Sequence, residues 1–394
     1  MAGVARLLVQ RAKERPAATA YLSGPDGRRL TWADLARQAA ATQALGLPPA
    51  TRVGIVAADP LDFAGTYLGV LAAGLTAVPL DARLTPPELT AAKARLRVDV
   101  TLPDPSVRGV ARGFIDHPTV LLTGSAGTGI ALSEPQLLHA ALRVARHHRL
   151  GPGERGYSPL PLGQVDAQVM GLLATLISGA SLVLDPEFEA DAFWERAARW
   201  RPTWLNTVPA MLATLASRPG PPAEVAERIR FARSGSAPLP IPTSRAFTAA
   251  TGIGVLQTYG MTEAAGQITA DPLDPAARRE GSVGLPVGIG LAVLGPHGSL
   301  LPAGETGTVA LHGPAVTAHY LLAGADGTEH RRPATDAFGW LPTRDRGYRD
   351  EDGYLYLTGR TGDGPNRGGE KAVPLEVLLT NPGLPSAARA SLTH

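Results

Sequence analysis

The chain has 394 residues, 44% apolar and 18% charged, enough to build one large unit or two to three packed ones. Its 45 glycines and 36 prolines stay below the share typical of low-complexity chains, so whole-chain disorder and collagen-like structure are excluded. Zero cysteines exclude disulfides, thiolate metal sites and a cysteine nucleophile, and fit a reducing, cytoplasmic setting, while a net charge of +2 leaves no electrostatic footprint for nucleic acid.

Met1 to Lys13 carries basic residues with no apolar run behind them, unlike a secretory signal. Thr31-Trp-Ala-Asp starts a capped helix and Arg52-Val-Gly-Ile reads as a buried strand. The uncharged stretch from Phe63 to Leu80 is broken by Gly65, Gly69, Gly74 and Pro79, which predicts a buried helix and a short strand rather than a membrane span. Helix resumes at Pro87, and Thr119-Val-Leu-Leu-Thr is a strand. Ser133-Glu-Pro-Gln136 is a capping box opening a helix to about His148, whose His147-His148 end reads as solvated rather than as a metal site. Val169 to Ile177 reads as helix and Ala180 to Leu184 as strand. This alternation predicts an α/β fold with two helix-covered, mainly parallel sheets. From about Gly281 short strands and turns take over, a small β-barrel-like subdomain over about 281–358.

Two segments carry the chemistry. Leu122-Thr-Gly-Ser-Ala-Gly-Thr-Gly129, between a strand and a helix, could cradle phosphate or be a tight turn. Gln257-Thr-Tyr-Gly-Met-Thr-Glu263 sets a ring, a hydroxyl and a carboxylate side by side, able to face a heterocycle, bond a phosphate and hold Mg²⁺, or else simply to end a strand.

The Tyr-Gly-Met-Thr-Glu run resembles a motif of the ANL superfamily, which holds acyl-CoA synthetases, nonribosomal peptide synthetase adenylation domains and luciferases. The resemblance continues in order through Leu71–Asp81, Thr123–Ser133, Arg233–Leu239, Gly281–Pro286, Gly339–Asp345 and Asp352–Arg360. It implies a large AMP-binding domain over 1–362, a hinge at Asp363, and in 363–394 the truncated start of a C-terminal domain. It also implies activation of a carboxylic acid by ATP as acyl-AMP, with Mg²⁺ on Glu263. Thr262 and Glu263 would act on the phosphates, with Ser125 and Gly127 in the phosphate loop. Tyr259 and Gly235, Ser236, Ala237 and Pro238 would flank the adenine, and Asp345 with Arg360 would hold the ribose. Gly163, Gln164, Asp166, Gly260 and Met261 would line the acyl pocket.

Four departures touch the reaction. The phosphate loop has no lysine; the chain holds only Lys13, Lys93 and Lys371. Arg344 replaces the glycine before Asp345, either a surface residue or a relocated cation. Gly163-Gln164 replaces the family's frequent Phe-His pair. The catalytic lysine and the thiol-acceptor face would lie beyond His394. Asp166 reads as a helix N-cap, with binding of a substrate ammonium as its functional alternative. The sequence therefore predicts an adenylation enzyme that is impaired or works with a carrier protein or a separate C-terminal-domain partner. The alternative is a repurposed, non-adenylating relative that binds or hydrolyses an acyl-AMP or acyl thioester, or serves as a partner subunit.

Overall fold

The computed structural model describes residues 3–102, 119–123, 129–323 and 328–361. Ser125, Gly127, Asp363 and the 363–394 segment lie outside the described residues.

The fold is α/β, built on two large sheets and one small one. The first has nine strands in the spatial order Leu285–Pro286, Gly266–Ala270, Val255–Met261, Ala232–Ser234, Trp204–Thr207, Arg155–Ser158, Ser181–Leu184, Thr19–Ser23, Arg29–Thr31. The strands from Val255–Met261 through Thr19–Ser23 pair in parallel, and the outer pairings are antiparallel. The second has seven strands, Glu329–Pro333, His319–Ala323, Gly129–Ser133, Thr119–Thr123, Thr76–Pro79, Arg52–Ile55, Val100–Leu102; the pairings from Thr119–Thr123 to the Val100–Leu102 edge are parallel and those on the other side antiparallel. The small antiparallel sheet orders Gly290–Leu294, Gly307–His312, Leu341–Arg349 and Leu355–Arg360.

Local chemistry starts the helices where the sequence predicts. Thr31 and Asp34 close a capping box on Trp32–Ala44, and Ser133 and Gln136 close one on Glu134–His147. Asp59 accepts from the backbone N–H groups of Leu61 and Asp62 ahead of Pro60–Ala72. That helix is buried nearly all round, and its glycines have a packing role. A Cβ on Gly65 would lie 1.9 Å from Gln38 Oε1 and one on Gly69 2.6 Å from Thr42 Oγ1, so small residues let Trp32–Ala44 approach closely.

Three expectations change. The span 281–358 is not a unit to itself, because His319–Ala323 and Glu329–Pro333 leave it for the seven-stranded sheet. The Ser/Gly-rich segment lies between two antiparallel strands, Thr119–Thr123 and Gly129–Ser133, so the next described element after it is a strand and not a helix. His148 is fully buried rather than solvated, with its ring edge-on to Trp204 and Phe231 and its Nδ1 2.9 Å from that of His147.

Burial, then His147 and the nearby Arg233 and Arg230, hold the His148 pKa well below 6.5. The folded protein therefore keeps this ring neutral where the unfolded chain binds a proton, so stability falls as the pH drops below the unfolded value near 6.5. Between pH 6 and pH 5 the native chain should lose about 1.2 kcal/mol more than His148→Leu, close to the slope of one proton. Urea midpoints at the two pH values measure it; parallel pH dependences would show that His148 does not control acid stability.

Candidate active site

The strand Val255–Met261 and the 3₁₀ turn Thr262–Ala264 place Thr262 and Glu263 at the carboxyl end of a parallel strand, where open α/β sheets bind ligands. They open on a cavity of about 920 Å³. The same cavity is lined by Gly163, Gln164, Gly260, Met261 and Arg360, all expected from the sequence. Arg344 is there too, and it donates to the Thr361 carbonyl at 3.3 Å. Gly163 has open space where a Cβ would stand, so the wall is thin beside the Gln164 amide.

Glu263 is half-buried, and burial raises its pKa above the usual carboxylate value. Its side-chain contact is the Tyr320 hydroxyl at 3.5 Å, and among the described residues no cation pairs with it. An oxygen ligand left this open suits a hard dication. Among the described residues no cluster of three His, Cys, Asp or Glu exists, so Mg²⁺ would take its other ligands from phosphate and water.

Asp345 lies behind this wall. Its Oδ1 meets Arg360 Nε at 2.8 Å and its Oδ2 accepts from the Tyr259 hydroxyl at 2.7 Å. Asp345 and Arg360 are register partners on adjacent strands. Burial, then the Asp345 carboxylate, holds the Tyr259 pKa well above its ordinary value, so the phenol stays the donor. Each Asp345 oxygen keeps a second acceptor site.

Asp166 is not the helix N-cap that the sequence suggests. Its side chain caps no helix: its backbone is already helical ahead of the π-helix Ala167–Leu173. Nor does it line the cavity. It forms a two-pronged ion pair with Arg233, through Nη1 and through Nη2 at 2.8 Å. Arg233 is 1% exposed and also bonds Asn206 Oδ1 at 3.1 Å. The loop Gly235–Pro238 rests on this pair: Ser236 donates to Asp166 at 3.3 Å, and a Cβ at Gly235 would lie 2.6 Å from Arg233 Nη2. Ser236 and Pro238 are exposed, outside the cavity lining.

Sequence reasoning missed Arg233 as the anchor of this loop, and Arg83, Tyr320 and Arg332 as cavity residues. The ordered motif Arg233-Ser-Gly-Ser carried a signal for the first; the others lie in segments with no local one.

Asp166→Ala should cost about 3–5 kcal/mol, because it strands a buried guanidinium. Asp166→Ala with Arg233→Met should recover most of the melting temperature. An unchanged melting temperature with a raised KM for amino acids alone would restore the ammonium reading.

Comparison with known proteins places this architecture. The family described as AMP-binding enzyme matches residues 8–113 and 124–321. The chain is 35% identical to a sulfoacetate–CoA ligase of Cupriavidus necator, covering 98% of this chain and 84% of that one. It is 31% identical to an oxalate–CoA ligase of Arabidopsis thaliana, covering 86% and 74%. The crystal structure of apo MatB from Rhodopseudomonas palustris superposes with a TM-score of 0.81 at 26% identity, over 95% of this chain and 82% of that one. The ordered motifs and the three-sheet fold agree with these matches: the chain belongs to the AMP-binding enzyme family of the ANL superfamily, the acyl-CoA synthetase-like adenylate-forming proteins.

Proposed function

We propose that the chain activates a short polar carboxylic acid with ATP. A carboxylate oxygen attacks the α-phosphorus, the bond to the β-phosphate breaks, and its electron pair leaves with pyrophosphate; acyl-AMP remains. The observation that carries this reading is the single cavity faced by Thr262, Glu263 and Arg360, with Asp345 directly behind. Its volume of about 920 Å³ has room for a nucleotide and a small acid. The relatives named for sulfoacetate and oxalate favour a small, anionic substrate.

In this reading Asp345 and Arg360 hold the ribose, the 235–238 loop and Tyr259 border the adenine, and Thr262 bonds phosphate. Ser125 and Gly127 offer loop groups to the phosphates, and Glu263 holds Mg²⁺, which would neutralise phosphate charge. Gly163, Gln164, Gly260 and Met261 shape the acyl end. A phosphate loop without lysine makes the reaction slow, because pyrophosphate departs with developing charge that needs cations already in place. The acyl group then passes to a thiol, of CoA or a carrier protein, with the help of residues beyond 361 or of a separate C-terminal-domain partner. The same loop also keeps open a second reading, a non-adenylating relative that binds or hydrolyses acyl-AMP.

Acid-dependent ATP–pyrophosphate exchange across a panel of short mono- and dianionic acids tests the proposal. Exchange is expected with at least one of them, and Glu263→Gln should lower it about 10²-fold. Silence with every acid, alongside tight acyl-AMP binding, would select the second reading. Asp345→Ala should weaken AMP and ATP alike, by about tenfold or more. Calorimetry with both nucleotides unaffected would remove the ribose assignment.

A further inference from the structure

The adenylation reading leaves one charge unaccounted for: the loop that should meet the outer phosphates contributes no cation. The cavity nevertheless carries four arginines, Arg83, Arg332, Arg344 and Arg360. Arg83 is spent on Asp81 at 2.6 Å, Arg360 on Asp345, and Arg344 leans on the Thr361 carbonyl. Arg332 forms no ion pair among the described residues; its guanidinium stands over the Tyr320 ring, 5.1 Å from the centroid.

Its position follows from register. Ile130, Tyr320 and Arg332 are direct partners across Gly129–Ser133, His319–Ala323 and Glu329–Pro333, so they share one face of the seven-stranded sheet, and all three line the cavity. The middle residue of this row brings its hydroxyl to Glu263. The Ser/Gly-rich loop leaves the sheet at Gly129, one residue from Ile130. Arg332 thus stands on the same cavity wall as Ile130, next to the strand end Gly129, and faces the cavity that holds the proposed phosphate-side carboxylate.

The edge strand is also tied down. Glu329 takes a two-pronged ion pair from Arg52, at 2.8 and 2.9 Å, and Arg52 is 3% exposed. Residues 329 and 332 alternate across the pleat, so the pair anchors one face while Arg332 is presented on the other.

The geometry points to Arg332 as the cation that holds the β- and γ-phosphates of ATP and takes up the charge of the departing pyrophosphate, in place of a loop lysine. This rests on the adenylation reading. Its planar fork matches two phosphate oxygens at once, and the Tyr320 ring beneath it restricts the side chain before substrate arrives. The electron pair released when the α–β bond breaks resides on oxygens the guanidinium already contacts; the arginine exchanges no proton.

The test measures ATP and AMP affinity by calorimetry, and acid-dependent exchange, for the full chain and for Arg332→Ala, Arg332→Lys and Arg344→Ala. Arg332→Ala should weaken ATP about 10- to 100-fold and leave AMP within about twofold. Exchange should fall further than affinity, since the contact strengthens in the transition state. Arg332→Lys should recover part of both losses. Arg332 is exposed, so an unchanged melting temperature should accompany the loss. Equal effects on ATP and AMP, a raised KM for the acid alone, or losses found only in Arg344→Ala would each overturn the assignment while leaving adenylation standing. A wild-type chain that binds neither nucleotide and exchanges no pyrophosphate would overturn both.

Discussion

Everything at the site hangs on one short segment, Thr258 to Glu263, where the three sheets meet. Its strand is an integral member of the nine-stranded sheet, and Thr258 donates back to the Ser234 carbonyl at 3.1 Å. The Tyr259 hydroxyl reaches out to Asp345 in the four-stranded sheet. The Glu263 carbonyl accepts from the Thr317 N–H at 2.7 Å, just ahead of the strand His319–Ala323 of the seven-stranded sheet. A Cβ at Gly260 would lie 2.4 Å from the Gly266 carbonyl, so the chain doubles back here too tightly for any side chain. In the proposed reading, nucleoside, phosphate and acyl groups converge at the point where these three attachments meet.

Arginine does much of the fastening, in a chain with three lysines. Arg143 donates to the carbonyls of Val287 and Gln267, and Arg278 to those of Val255, Pro272 and Leu273. Burial lowers the pKa of Arg143 to about 10, still far above neutral, so the charge persists. A lysine in these places would offer a compact point charge where a planar fork with several donors is required. Arg233 with Asp166 and Arg52 with Glu329 are the paired versions of the same device. One supports the 235–238 loop and the other the strand that carries Arg332. Removing the carboxylate of either pair would leave a buried guanidinium uncompensated.

The sequence by itself determined a good deal. Caps at Thr31 and Ser133, the helix and strand of 60–79, and the alternation that demands parallel sheets were all legible, because each depends on residues a few positions apart. The ordered motifs identify the superfamily, and the sequence points to Thr262, Glu263, Gly163, Gln164 and Arg360, which line one cavity in the fold. Tertiary structure decided the rest. Asp166 reads as a helix cap in the sequence, but its side chain caps nothing and pairs with a guanidinium 67 residues away. His148 looked solvated at a helix end until Trp204 and Phe231 closed over it. Arg332 carries no local signal, since its place in the cavity that Glu263 faces comes from strand register across three segments remote in sequence. Periodicity and capping act within a turn or two of helix, whereas charge pairing, burial and cross-strand alignment exist only once distant segments have packed.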